Sequence, residues 1–269
     1  MIGFPHAKIN LGLSIISKRS DGFHDLESVF YPLPFCDILE IVPGGTTSLS
    51  LSGIPLAGKP AENLVIRAFQ LLKKHYPQIT EAAVYLHKHI PSGAGLGGGS
   101  SDAASMLRLL NDYFGLRITP EELKTYALTL GSDCPFFLQP SPCYVRGRGE
   151  ILEPISLDLS GYSVLLVHPG VPVSTAWAYS QIQPALPGFP IRELISGPVI
   201  NWRNQLKNDF EIPVFRQYPA LGAIKDQLYK AGALFASMTG SGSSFYALFN
   251  KGRIPPGGIS IAGQQTFLP

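Results

Sequence analysis

Apolar residues follow two periods along this chain, and each change of period marks an element. Ile9, Leu11 and Leu13 alternate with Asn10, Gly12 and Ser14, which predicts a strand. Ser20-Asp21-Gly22 marks a turn, and a second apolar stretch runs from Leu26 to Leu33. Ile38 to Val42 and Leu49 to Leu51 predict further short strands separated by Gly, Pro and Thr. From Asn63 to Tyr76 the period lengthens: Leu64, Ala68, Leu71 and Leu72 share one helix face, and Pro77 closes it. Val84, Leu86 and Ile90 return to a strand, which feeds a glycine-rich segment. A helix follows, with Ser100, Ser101 and Asp102 as N-cap and first-turn residues. Ala103, Ala104, Met106, Leu107, Leu109 and Leu110 form its buried side, and Gly115 ends it.

Thr119-Pro120-Glu121-Glu122 opens the next helix, with proline at the first position and acids in the first turn; Gly131 stops it. Ser132-Asp133-Cys134-Pro135 reads as a turn in which Pro135 keeps Cys134 out of helical geometry. Val145 and Ile151 to Ile155 predict a strand region broken by Gly147 and Gly149. The stretch from Leu157 to Gly161 is a boundary, giving domains 1–156 and 157–269. Beyond it come a strand from Ser163 to Val167, a short helix from Ser174 or Thr175, and a proline-rich connection from Pro184 to Pro190. Helices are predicted over Asn201 to Phe210 and Pro219 to Ala231. Strands at Phe235 to Met238 and Phe245 to Phe249 flank Thr239-Gly240-Ser241-Gly242. In the glycine-rich tail, Ile259 to Ala262 is the one strand candidate. Strands and helices in unequal runs predict an α+β fold, not a doubly wound parallel sheet.

Composition narrows the class. A chain of 269 residues buries one large core or two modest ones, and 45% hydrophobic against 15% charged residues makes it globular. A formal net charge of +2 is too small to argue for nucleic acid or an acidic membrane surface. The three cysteines, Cys36, Cys134 and Cys143, form no CxxC pair and read as free thiols in a reducing compartment. Met1 to His6 lacks the basic and apolar regions of a signal peptide, and no apolar run reaches the ~20 residues of a membrane span. A cytoplasmic location is expected.

The candidate chemistry starts at the glycine segment, Pro91-Ser92-Gly93-Ala94-Gly95-Leu96-Gly97-Gly98-Gly99-Ser100-Ser101. Glycines bring the main chain close to a ligand, and the helix behind them offers unpaired N–H groups and a positive dipole end. Gly93 to Gly98 satisfies G-x-G-x-x-G, but the acid at the ribose spacing, Asp112, lies on the helix that the loop itself begins. A Walker A loop needs a lysine that Gly99-Ser100-Ser101 does not supply. A plain surface turn is the remaining alternative to a phosphate site. His87 and His89 share a strand face without an evident third ligand, so no metal site is assigned. Cys134 reads as a small buried residue.

The motifs together resemble the GHMP small-molecule kinases: Ala7-Lys8-Ile9-Asn10-Leu11, the glycine–serine loop, and Met238-Thr239-Gly240-Ser241-Gly242, in that order. Further pointers are Asp21-Gly22-Phe23-His24, Asn63-Leu64-Val65, Leu128 to Asp133, Gly147 to Leu152 and His168 to Val171. The resemblance implies a two-domain fold. Its active site would lie in the cleft between an N-terminal ribosomal-protein-S5-like domain and a C-terminal ferredoxin-like domain. It implies that Lys8 and Asp133 are the catalytic pair, Asp133 taking the proton of the acceptor hydroxyl and Lys8 holding it in place; an ordinary ion pair is the alternative. It implies ATP on Pro91 to Ser101, with Asn63 and Lys88 near adenine, and Mg²⁺ arriving with the nucleotide, aided by a hydroxyl of Ser100 or Ser101.

For the second substrate the resemblance implies a cytidine diphosphate ester of methylerythritol. Phe23 and Tyr179 would sandwich the base, His24 would read its polar edge, and Asn10 would lie beside the reacting hydroxyl. Phe23 stands where relatives often carry tyrosine. Thr175, Thr239, Gly240 and Ser241 would close the other side, although a tight inter-strand turn explains the last three equally. A homoserine or mevalonate kinase of the family, and a non-catalytic nucleotide-binding relative, remain alternatives. A monomer or weak homodimer is expected.

Overall fold

The structure is a computed structural model, and it describes residues 1–56, 58–253 and 265–267. The strand expected at Ile259 to Ala262 lies outside the described residues. The chain separates into two compact units, residues 1–8, 32–92 and 97–140, and residues 9–31, 93–96 and 141–269.

The elements in chain order are β1 (Ile2–Gly3), β2 (His6–Lys18), β3 (His24–Cys36), β4 (Ile38–Pro43), β5 (Ser48–Gly53), α1 (Leu64–His75), β6 (Ala82–Lys88), α2 (Gly98–Tyr113) and α3 (Pro120–Leu130). A short 3₁₀ turn, Cys134–Leu138, precedes β7 (Cys143–Arg146), β8 (Ile151–Pro154) and β9 (Tyr162–His168). Then come α4 (Thr175–Ser180), α5 (Ile191–Ile195), α6 (Val199–Gln205), α7 (Glu211–Gln217), α8 (Pro219–Lys230), β10 (Phe235–Met238), β11 (Phe245–Asn250) and β12 (Gln265–Phe267).

In the first unit β1, β4, β6 and β5 form a sheet in that order, antiparallel except for β5 against β6. Leu39, Ile41, Val84 and Leu86 point from its inner face into a core shared with Val65, Ala68, Phe69 and Leu72 of α1 and with the apolar side of α2. Each such side chain contributes about 1.5–3 kcal/mol on burial. The helix opening at Pro120 carries a complete capping box: Thr119 Oγ1 accepts from Glu122 N–H at 3.3 Å, and Glu122 Oε2 accepts from Thr119 N–H at 2.9 Å. Gly131 then ends it, as the sequence predicts.

The second unit holds the antiparallel sheet β10-β11-β9-β12, with α8 packed on β10. A further sheet runs in the order β2-β3-β7-β8. Three expectations need correction. The N-cap of α2 is Gly97, not a serine, so Ser100 to Asp102 lie inside the helix. Pro135 does not exclude helical geometry but sits at the start of the 3₁₀ turn, a position that needs no N–H. The helix expected from Asn201 to Phe210 stops at Gln205, because Asn208 Oδ1 takes Phe210 N–H and its backbone bridges Leu13 instead. Two short helices, α5 and α7, were absent from the periodicity.

Candidate active site

Lys8 is the third residue of β2, and both faces of that strand are covered from Ala7 to Ile15, so its polar positions are buried along with its apolar ones. Lys8 is 3% exposed, and its Nζ lies 3.5 Å from Oδ2 of Asp133. Asp133 is delivered by the end of α3 through Gly131, and a third of its side chain is open to solvent. Burial draws the Lys8 ammonium below the usual lysine range, and the Asp133 charge and hydrogen bond push back. A dry cation thus faces a reachable carboxylate. That arrangement lets the carboxylate take a proton from a bound hydroxyl while the ammonium holds both in line.

The glycine loop meets this pair at its far end. Gly93, Gly95 and Gly97 have φ of +64°, +78° and +72°, a backbone that side chains rarely adopt. A Cβ on Gly97 would lie 2.6 Å from Cζ of Phe137 and 3.2 Å from Cγ of Lys8, so the α2 N-terminus presses on the lysine stem. With no side chain to cap it, that terminus keeps its first-turn N–H groups available to an anion. Gly98 and Gly99 continue the bare backbone into the helix, while Pro91, Ala94 and Leu96 anchor the loop inward and Ser92 and Gly93 face solvent. Ser100 is half-buried, its Oγ hydrogen-bonded with Cys134, whose thiol burial pushes up to about 12. Ser101 Oγ is buried without a hydrogen-bond partner among the described residues.

In the second unit three distant segments meet on one hydroxyl. Thr239 Oγ1 accepts from Asn10 N–H at 3.1 Å and lies 3.3 Å from Asn10 Oδ1 and 3.1 Å from the Gly95 carbonyl, both acceptors for its proton. A Cβ on Gly95 would fall 1.9 Å from the Thr239 carbonyl oxygen, so no side chain fits there. Asn10 Nδ2 donates to Ser28 Oγ at 3.0 Å, and Tyr246 Oη donates to the Asn10 carbonyl at 2.8 Å. Thr239 and Gly242 also close a turn between β10 and β11, Gly242 N–H donating to the Thr239 carbonyl at 3.1 Å, so the inter-strand turn is present. Ser241 Oγ lies 2.9 Å from Thr175 Oγ1 at the start of α4.

Aromatic residues gather nearby in the same unit. His24 and Tyr179 face each other at 5.1 Å and 30°, and Tyr179 rests edge-on against Phe210 at 4.8 Å. Phe23 is 50% exposed, and the Arg148 guanidinium lies over its ring at 4.6 Å. Partial burial and Lys18 lower the His24 pKa. Asn63 and Lys88 stand elsewhere, in the first unit. Asn63 caps α1, accepting from Val65 N–H at 2.9 Å, and Lys88 is 2% exposed between two carboxylates.

The sequence matches the GHMP kinases N terminal domain over residues 63–139 and the GHMP kinases C terminal domain over residues 192–255. The 4-diphosphocytidyl-2-C-methyl-D-erythritol kinase of Bacteroides fragilis is 50% identical, with 93% of this chain and 92% of that protein aligned. The kinase of the same name from Cytophaga hutchinsonii is 45% identical over 93% of each. A solved structure of 4-(cytidine 5'-diphospho)-2C-methyl-D-erythritol kinase is 34% identical and superposes with a TM-score of 0.79, covering 92% of this chain and 90% of that one. The chain belongs to the GHMP kinases.

Two residues of this GHMP kinase escaped the sequence reading. Asn208 donates through Nδ2 to the carbonyls of Met238 at 2.8 Å and Gly240 at 2.9 Å, and so pins the turn that carries Thr239. Its signal was hidden inside an apparent helix. Arg148 was legible only as part of Gly147-Arg148-Gly149-Glu150. A Cβ on Gly147 would strike the Glu150 carboxylate at 2.7 Å, and Leu26 N–H bonds the Gly147 carbonyl at 2.7 Å, which fixes this turn beside β3. Among the described residues no cluster of three or more His, Cys, Asp or Glu could hold a metal, and no helix is long and apolar enough to cross a membrane.

Proposed function

We propose that this GHMP kinase transfers the γ-phosphoryl group of ATP to the 2-hydroxyl of 4-diphosphocytidyl-2-C-methyl-D-erythritol, a step of non-mevalonate isoprenoid precursor synthesis in the cytoplasm. The observation that carries the reading is the Lys8–Asp133 pair, 3.5 Å apart, set against Gly97 at the open N-terminus of α2. Asp133 accepts the hydroxyl proton as the oxygen attacks the γ-phosphorus; the bond to the bridging oxygen breaks and ADP leaves. Lys8 orients the carboxylate and the hydroxyl and offsets charge that develops on the transferred group. Backbone N–H groups from Gly93 to Ser101 hold the phosphates, with Asn63 toward the adenine; Lys88, whose ammonium is taken by Asp37 and Asp102, lies behind the loop ends and does not reach the base.

Bare glycines, an uncapped helix start and the unpartnered Ser101 hydroxyl fit a nucleotide that brings its own Mg²⁺. When bound, that ion supplies charge neutralisation on the phosphates. Phe23, His24 and Tyr179 take the cytosine, and Asn10, Thr175, Thr239, Gly240 and Ser241 take the rest of the acceptor. The matched ranges, 63–139 and 192–255, fall one in each of the proposed domains, 1–156 and 157–269, and a monomer or weak homodimer is the proposed state. A coupled ADP-release assay tests the reading. Turnover with the cytidylyl ester and none with mevalonate or homoserine is expected; the reverse pattern rejects this substrate, and no turnover with any alcohol points to a non-catalytic nucleotide binder.

A further inference from the structure

Wholly within the first unit, where β6 ends and α2 begins, lies a charge cluster that the phosphoryl-transfer step does not use. Lys88 closes β6, and its Nζ donates to Asp37 Oδ2 and, at 2.6 Å, to Asp102 Oδ2. All three residues are buried. Asp37 Oδ1 also accepts the backbone N–H groups of His89 at 2.6 Å and Ile90 at 2.8 Å, the residues through which the chain leaves β6 for Pro91. Asp102 comes from α2, just after the loop. A Cβ on Gly98 would lie 3.3 Å from Lys88 Nζ and 2.8 Å from Cγ2 of Ile90, so the helix start is seated on the strand end. One ammonium therefore ties the segment that enters the loop to the helix that leaves it.

We propose that Asp37 and Asp102, acting through Lys88, are positioning residues that clamp both ends of the phosphate loop and hold it ready for the nucleotide. A clamp of this kind removes conformational freedom before binding, so its loss weakens the nucleotide and not the second substrate. Burying two carboxylates and one ammonium is poor value as stability alone, since an apolar trio of similar volume serves as well. The cluster does something that apolar packing cannot, because Asp37 reaches two main-chain N–H groups and the ammonium together. The two acids are unequal. Asp37 uses both oxygens, whereas Asp102 Oδ1 is buried without a hydrogen-bond partner among the described residues. Burial, opposed by Lys88 and aided by Asp37, raises the Asp102 carboxyl above the usual carboxylate range.

That inequality sets the test, which rests on the proposed ATP-dependent reaction. Asp37→Asn leaves one accepting oxygen for either the strand-end N–H pair or the ammonium. Its KM for ATP should rise about tenfold while KM for the cytidylyl ester stays within about twofold. Asp102→Ala should behave alike, and Asp102→Asn, which keeps an oxygen for Lys88, should restore the ATP KM to within about threefold of wild type. If D37N is not recovered folded, the comparison of D102A with D102N decides. A lowered melting temperature with both KM values unchanged, or with both raised together, overturns the clamp and leaves a structural network. Wild-type enzyme that turns over no ester at all defeats the proposed reaction instead, and direct ATP titration of the same variants then reads the clamp alone.

Discussion

Two lysines are buried in one unit of this protein, and their surroundings differ. Lys8 pairs with Asp133, 3.5 Å away and one-third open to solvent, while Lys88 is enclosed by two buried carboxylates. The first ammonium is buried beside a carboxylate that solvent reaches; the second is enclosed by two carboxylates that solvent does not reach. Burial alone therefore does not mark a catalytic lysine. In the proposed reaction the openness of its partner does, because proton transfer needs a carboxylate that substrate can reach.

The sharpest way to break the comparison is at Asp133. Asp133→Asn should lower kcat by about a thousandfold or more while ATP affinity changes less than about fivefold, measured by steady-state kinetics and nucleotide titration. An unchanged kcat removes Asp133 from the chemistry. Next comes Gly95→Ala, whose Cβ meets the Thr239 carbonyl and whose φ is +78°. It should cost about 1–3 kcal/mol of stability, read by denaturant unfolding, and raise the ATP KM. Equal stability would mean that the loop moves freely away from Thr239.

Smaller effects sharpen the contrast on the acceptor side. Phe23→Ala should raise KM for the cytidylyl ester about tenfold with the ATP KM unaffected, and Phe23→Tyr should change neither by more than about twofold. The smallest effect concerns His6, close to Lys8 in sequence, whose ring packs edge-on to Phe137 at 5.4 Å. Burial, with a smaller contribution from Arg108, pulls its pKa down to about 4. The unfolded chain then binds a proton near 6.5 that the folded chain refuses, so this contribution is present above 6.5 and fades as pH falls through about 4. Melting temperature followed from pH 7 to pH 4 should fall less steeply in His6→Leu than in wild type; parallel slopes would show that His6 charges freely in the fold.

Much of this was legible in the sequence because it depends on local rules. The capping box at Thr119, the strands around Thr239-Gly240-Ser241-Gly242 and the glycine loop each announce themselves within a few residues. What escaped depends on partners far along the chain. Asp102 looks like a helix-start acid, and only the arrival of Lys88 and Asp37 turns it into a buried ion. Asn208 looks helical until its amide finds the carbonyls of Met238 and Gly240. The polar positions of β2 alternate with apolar ones, yet both faces are covered, and no periodicity reports that second layer. Asn10 binds Ser28, Thr239 and Tyr246 through its amide and backbone, a long-range set that no local pattern reports.

The most direct trial of the contrast between the two lysines is a crystal structure with a non-hydrolysable ATP analogue and the cytidylyl ester bound together. The γ-phosphorus and the acceptor hydroxyl should lie beside Lys8 and Asp133, with Lys88 Nζ still bound to Asp37 and Asp102. A terminal phosphate held by the Lys88 ammonium, with Lys8 and Asp133 touching neither substrate, would contradict it.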